Sequence, residues 1–214
     1  MVGRPRCFLG WHDITLRTNN AFKTPETGEV TGQNDWEFRE LLRLYKRLAP
    51  RNALEIGVYR GGSFREFLRR STPGARVLGV DLTAPLPEDL PAFTQGWEIP
   101  QGVEYHLIRG NSGDRRTLSA VKSWLSGSKL DFLFLDGGHE YEEVLTDFEF
   151  YGPLVRSGGL IAIHDIEDHA GVRAFWRDLV RRGYVTQELS HMTGGIPEDS
   201  ISGTGLIYQG TSLV

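Results

Sequence analysis

One cysteine, Cys7, is all that 214 residues offer, so an internal disulfide is excluded, and nothing around that thiol would stabilise a thiolate. No window approaches the unbroken apolar span of a membrane helix, and the N-terminus lacks the basic, apolar, small-residue order of a signal peptide. A cytoplasmic protein with no membrane partner is the expectation. Positive charge is also short: 24 Lys and Arg stand against 28 Asp and Glu. The pairs Arg69-Arg70, Arg115-Arg116 and Arg181-Arg182 are scattered along expected helices, which argues against nucleic acid as a partner. Internal repeats, low-complexity segments and a G-x-G-x-x-G turn are missing as well. What remains is an ordinary globular composition, long enough for one domain with a substantial core.

Residues 1–34 mix Gly, Pro, Thr and Asn with isolated aromatics and hold no sustained period, so they read as a loop-rich lead or lid ahead of a domain over 35–214. From Asp35 the pattern turns helical, with Phe38, Leu41, Leu42, Leu44, Tyr45 and Leu48 in phase until Ala49-Pro50. Strands are then expected near 53–57, 76–82, 103–109, 130–136 and 159–165. Helices are expected near 61–71, 115–126, 140–155 and 170–182. Two further strands, 184–189 and 205–209, flank a glycine-rich polar loop from Ser190 to Gly203. The alternation predicts an α/β, doubly wound Rossmann-like fold with a mostly parallel seven-stranded sheet and helices on both faces. The prolines of Thr83 to Gln101 predict an irregular insertion that contributes to an acceptor pocket.

In parallel sheets ligands bind beyond the carboxyl ends of the strands, and three strands here end in chemistry-bearing residues. Leu130 to Leu135 runs into Asp136-Gly137-Gly138-His139, Ala53 to Ile56 into a glycine loop, and Leu160 to Ile163 into His164-Asp165. The loop, Glu55-Ile56-Gly57-Val58-Tyr59-Arg60-Gly61-Gly62-Ser63, opens a helix and would let backbone approach a ligand at a helix N-terminus. The next strand ends in Asp81, an acid placed to accept hydrogen bonds from ribose hydroxyls.

Glu55-x-Gly57-x-x-x-Gly61-Gly62-Ser63 with the downstream Asp81 resembles the class I methyltransferases that use S-adenosylmethionine. The resemblance implies a cofactor set of Glu55, Gly57, Tyr59, Gly61, Gly62, Ser63, Asp81, Asn111, Ser112 and Asp136, with Asn111-Ser112 near the adenine. Asp136-Gly137-Gly138-His139-x-Tyr141-x-x-Val144-x-x-Asp147 with His164-Asp165 is similar to small O-methyltransferases of sugars and secondary metabolites, and to methyltransferase-like cephalosporin hydroxylases. Metal-dependent members of that group hold a divalent ion with acids at these positions, which implies Asp136, His164 and Asp165 as ligands. The imidazole suits Mn²⁺, Fe²⁺ or Zn²⁺ better than Mg²⁺.

An alcohol is a poor nucleophile until a base or a metal assists it. His139 is the candidate base, and Asp136 the acid that shares its site. The expected reaction is methyl transfer from S-adenosylmethionine to a hydroxyl of a small molecule, with a homo-oligomer possible. A non-catalytic cofactor-binding protein of this fold and an NAD-dependent oxidoreductase are the alternatives; the absent G-x-G-x-x-G argues against the second. Asp114 reads as a helix N-cap, Asp147 as structural, and Trp36, Phe38, Phe175 and Trp176 as core. His12, His169 and His191 have no partner by spacing.

Overall fold

The computed structural model describes residues 21–23, 30–189 and 202–210, with side chains from Gln33 onward. Two short strands, β1 (Ala21–Lys23) and β2 (Val30–Asn34), pair antiparallel. The lead expected to be irregular therefore carries a strand pair, too short to leave a period-2 signature. Helix α1 (Asp35–Leu48) starts at once, with the Asn34 side chain accepting from Trp36 N at 3.1 Å, and ends at Ala49 in the left-handed region before Pro50. The chain then runs β3 (Asn52–Ile56), α2 (Gly62–Arg70), β4 (Arg76–Asp81), α3 (Leu90–Phe93), β5 (Glu104–Arg109), α4 (Arg115–Leu125), β6 (Leu130–Leu135), α5 (Tyr141–Tyr151), β7 (Val155–Ile163), α6 (Ala170–Arg181), β8 (Thr186–Leu189) and β9 (Thr204–Tyr208).

The seven strands β3 to β9 form one sheet in the order β5-β4-β3-β6-β7-β9-β8, with only β9 reversed. The chain winds outward from β3 to β5, then returns to add β6 on β3's other side. The two halves diverge between β3 and β6, and a crevice opens at their carboxyl ends. Register puts the expected site residues in one row there. Ile56 pairs with Val80 and with Leu135, and Leu135 with Ile163. The next residues, Gly57, Asp81, Asp136 and His164, are consequently level with one another.

Strand β6 shows why both faces are covered. All six of its residues are buried. Phe132 and Phe134 pack with Phe38, Leu41, Phe64 and Phe67 of α1 and α2. Leu133 and Leu135 face the opposite way, among Val121, Tyr151, Phe175 and Leu179 of α4 to α6. Truncating either phenylalanine to Ala would cost about 3–5 kcal/mol.

Some local expectations need correction. Trp36, read as core, is 41% exposed because it lies off the α1 stripe that faces the sheet. The helix expected over 140–155 stops at Tyr151, where Gly152-Pro153 tightens the chain into a 3₁₀ turn and β7 begins at Val155. Asp114 does occupy the N-cap position of α4, but its side chain makes no capping bond. The insertion after β4 holds a single helical turn, α3, whose Phe93 and the following Trp97 pack against the first core. Most of the Ser190 to Gly203 loop, together with Cys7, His12 and His191, lies outside the described residues.

Candidate active site

The glycine loop after β3 is held from three sides. Its Gly57 has φ +91°, and a Cβ there would come within 1.9 Å of the Asp136 carbonyl oxygen, so only glycine lets the β3 and β6 loops meet. Asp81 ties the loop to β4: one carboxylate oxygen accepts from Tyr59 N at 2.7 Å, the other from Thr83 N at 2.6 Å and Thr83 Oγ1 at 2.8 Å. Below the loop, buried Glu55 accepts a hydrogen bond from Ser63. Burial, with Asp136 and Asp81 adding repulsion, pushes the Glu55 carboxyl well above its usual range, against the Ser63 hydrogen bond. Gly61 caps α2 with φ +81° and brings no side chain, so the first amides of the helix stay available to a ligand. A Cβ at Gly61 would strike Trp97 and Phe93 at 2.7 and 2.8 Å, which sets the insertion against the loop. Beyond β5, Asn111 Oδ1 accepts from Gly113 N at 2.9 Å, and the Ser112 carbonyl accepts from Tyr151 OH at 2.7 Å.

The ends of β6 and β7 bring Asp136, His164, Asp165 and His139 together. His164 Nδ1 lies 3.0 Å from Asp136 Oδ1 and 3.1 Å from Asp165 Oδ1. Burial opposes a charge on His164, but the Asp165 and Asp136 carboxylates outweigh it and hold the imidazole well above its ordinary range. Burial raises the Asp165 carboxyl too, and His164 and His139 overcome that effect and hold it below the carboxylate range. Asp165 has φ +61°, a left-handed conformation rare outside glycine and costing of order 1–3 kcal/mol, and its second carboxylate oxygen, Oδ2, is the one not engaged by His164. That oxygen meets His139 Nε2 at 3.2 Å. The hydrogen bond to Asp165 is the main cause of a raised His139 pKa. Asp136 does not cap the following helix, since Glu140 and Glu143 form the capping box of α5.

Three participants escaped the sequence. Gln33 Nε2 donates to Asp136 Oδ2 at 2.7 Å, so the lead reaches the site. Glu37 is buried on α1 and accepts from Ser202 Oγ at 3.1 Å; burial pushes its carboxyl up to about 7, while nearby His164 lowers it. Its signal was present, because Glu37 shares the buried stripe with Leu41 and Leu44 at helical spacing. His169, expected to stand alone, stacks on His139 with ring centroids 3.9 Å apart and puts Nε2 3.8 Å from Asp165 Oδ2. Asp147 is buried as expected and lies just under Gly137.

Known structures share this architecture. An O-methyltransferase from Bacillus cereus solved with S-adenosylhomocysteine matches with a TM-score of 0.62 at 16% identity, over 91% of this chain and 86% of that one. TomG, an O-methyltransferase of tomaymycin synthesis from Streptomyces achromogenes solved with S-adenosylmethionine, matches with a TM-score of 0.61 at 18% identity, over 81% and 80%. In sequence, the uncharacterized protein R132 of Acanthamoeba polyphaga mimivirus is 30% identical over 118 residues, 54% of this chain and 52% of that protein. The match thus spans about half the length of that relative. A family model described as a methyltransferase domain matches residues 54–166, just over half of the chain and all of the strand ends described above. The chain belongs to the methyltransferase domain family.

Proposed function

We propose that the protein transfers a methyl group from S-adenosylmethionine to a hydroxyl of a small molecule, such as a sugar or a natural product. The observation that carries this reading is the position of Asp136. Its backbone abuts Gly57 of the glycine loop while its side chain joins His164 and Gln33. Cofactor loop and reactive cluster are therefore neighbours across one residue.

Asp165 engages His139 through Nε2, leaving Nδ1 as the nitrogen to take the acceptor's proton; this tautomer is assigned from the partner atom. The carboxylate fixes the ring and stabilises the imidazolium that forms, as in other acid–histidine pairs. The acceptor oxygen bonds the methyl carbon as the sulfonium S–C bond breaks, its proton passes to His139, and S-adenosylhomocysteine leaves. A positioned base contributes about 10²–10⁴ in rate, and alignment of the two reactants supplies much of the rest.

The cluster also fits a divalent ion. Spacings of 3.0 and 3.1 Å among Asp136, His164 and Asp165 are close to the ~3 Å between adjacent ligands on an ion with bonds of about 2.1 Å. A cation would replace the proton that the two carboxylates hold on His164. The mixed O/N donor set favours Mn²⁺, Fe²⁺ or Zn²⁺. Such an ion supplies Lewis-acid stabilisation of a developing alkoxide. The test is formation of S-adenosylhomocysteine across a panel of sugar nucleotides, glycosides and phenols, with and without Mn²⁺. Turnover by the wild-type chain that collapses in His139→Ala supports the reading. S-Adenosylmethionine bound without turnover on any acceptor would leave the non-catalytic alternative.

A further inference from the structure

A second group of potential ligands lies outside the cluster just described. We propose that His139, His169 and Asp165 form a separate cation site, selective for borderline transition metals such as Zn²⁺ and Co²⁺. Asp165 is common to both sets but offers a different oxygen to each: Oδ1 faces His164, and Oδ2 faces His139 Nε2 at 3.2 Å and His169 Nε2 at 3.8 Å. In a tetrahedral site with bonds of about 2.0–2.1 Å, neighbouring ligand atoms are ~3.4 Å apart, and the two observed spacings bracket that value. All three ligand atoms lie within 4.8 Å of one another.

Independent features of the fold build this arrangement. His169 is the N-cap residue of α6, yet its side chain makes no capping bond and its ring stacks on that of His139 at an interplanar angle of 16°, so a shared ion requires one of these half-exposed rings to turn out of the stack and bring its in-plane lone pair onto the metal. The approach depends on Gly171: a Cβ there would come within 2.4 Å of the His139 carbonyl oxygen and 2.6 Å of Tyr141 N. Asp165, held in the left-handed region, presents Oδ2 to both rings. His139 and His169 are each nearly half exposed, so an ion has a way in from solvent. The positive end of α6 opposes a cation here, but one helix end is a weak term beside two imidazole bonds and a carboxylate. Two neutral imidazoles and one carboxylate form a donor set for Zn²⁺, Co²⁺, Ni²⁺ or Fe²⁺, and a poor one for Mg²⁺.

Occupancy has a consequence that rests on the proposed reaction. A cation would take His139 through Nε2, and a ligated imidazole keeps its proton on Nδ1, so the base would be withdrawn. An ion bound there would then inhibit, whichever ion fills the inner set.

The test needs neither cofactor nor acceptor, so its failure leaves the methyl-transfer reading standing. Chelator-stripped full chain is titrated with Zn²⁺ by calorimetry and with Co²⁺ by visible absorption, as wild type, His169→Ala and Asp136→Asn. His169 is exposed, so its truncation should preserve the fold, and thermal denaturation without metal verifies that. The expected result is a Zn²⁺ site weakened on the order of tenfold or more by His169→Ala, with an altered Co²⁺ spectrum, and retained in Asp136→Asn. Binding curves and spectra of His169→Ala that superimpose on wild type would overturn the proposal. So would loss of all Zn²⁺ binding in a folded Asp136→Asn protein.

Discussion

The carbonyl oxygen of Asp136 occupies the space into which any side chain at Gly57 would project, 1.9 Å from an ideal Cβ. Two loops from neighbouring strands are locked together at that point, the glycine loop after β3 and the loop after β6 that carries Asp136. Gly57→Ala should therefore fail twice. A left-handed alanine costs about 1–2 kcal/mol, and the forced separation of the loops adds to it. The expected outcome is a fall in melting temperature of several degrees, at about 2–4 °C per kcal/mol for a chain of this size, and loss of S-adenosylhomocysteine binding. Scanning fluorimetry with and without ligand would show both; parent-like affinity would mean that the contact is incidental.

His139→Ala should separate chemistry from binding. The ring is half exposed, and its partners are Asp165 and His169. Turnover is expected to drop about 10²–10⁴-fold while S-adenosylhomocysteine affinity stays within a few-fold of wild type. Single-turnover kinetics beside calorimetry would measure both quantities.

Gln33→Ala asks whether the lead belongs to the site. Its amide is a donor to Asp136 Oδ2 at 2.7 Å, and such supporting bonds are worth on the order of 10–100-fold in metal affinity or activity. Mn²⁺ binding weaker by about tenfold, with an unchanged melting temperature, is the expected result. Deletion of residues 1–34 should weaken Mn²⁺ binding likewise but also lower the melting temperature, because it removes this donor and the Asn34 cap of α1 together.

These contacts mark where sequence reading stopped. Period and punctuation carried β3 to β9, since β6 is apolar except for Asp131 and α1 keeps one apolar stripe, and those strands decided which residues fall at the carboxyl ends. Asp136, His164 and Asp165 were legible because a polar residue that closes a buried strand has few roles. Gln33 and His169 were not, because they meet Asp136 and Asp165 only through folding: one lies 103 residues from its partner, and the other arrives because Gly171 allows a close approach. Trp36 misled because an aromatic beside a helical stripe resembles one within it.

Asp147, buried beneath Gly137, supplies a pH test of stability. Burial raises its carboxyl from 3.8 to about 6, with Ser112 offering a partly compensating hydrogen bond. Below pH 4 both folded and unfolded chains hold this proton and no penalty arises. Between pH 4 and 6 the unfolded chain loses the proton first, so this group's contribution to stability falls as pH rises and levels off above about 6. The loss amounts to about 3 kcal/mol at most, because each tenfold change in proton affinity is worth about 1.4 kcal/mol. Asp147→Asn should be more stable than wild type at pH 7.5 and match it near pH 4. Urea titrations at the two pH values would check this, and equal differences at both would contradict it.

The central claim is that the crevice between β3 and β6 is an S-adenosylmethionine site with a metal-competent cluster beside it. Calorimetric titration of the purified chain with S-adenosylhomocysteine, with and without Mn²⁺, tests it most directly. Micromolar affinity, lost in Gly57→Ala and altered by Mn²⁺ in wild type but not in Asp136→Asn, is the expected result. No heat in either buffer, together with binding of NAD or a sugar nucleotide, would contradict the account.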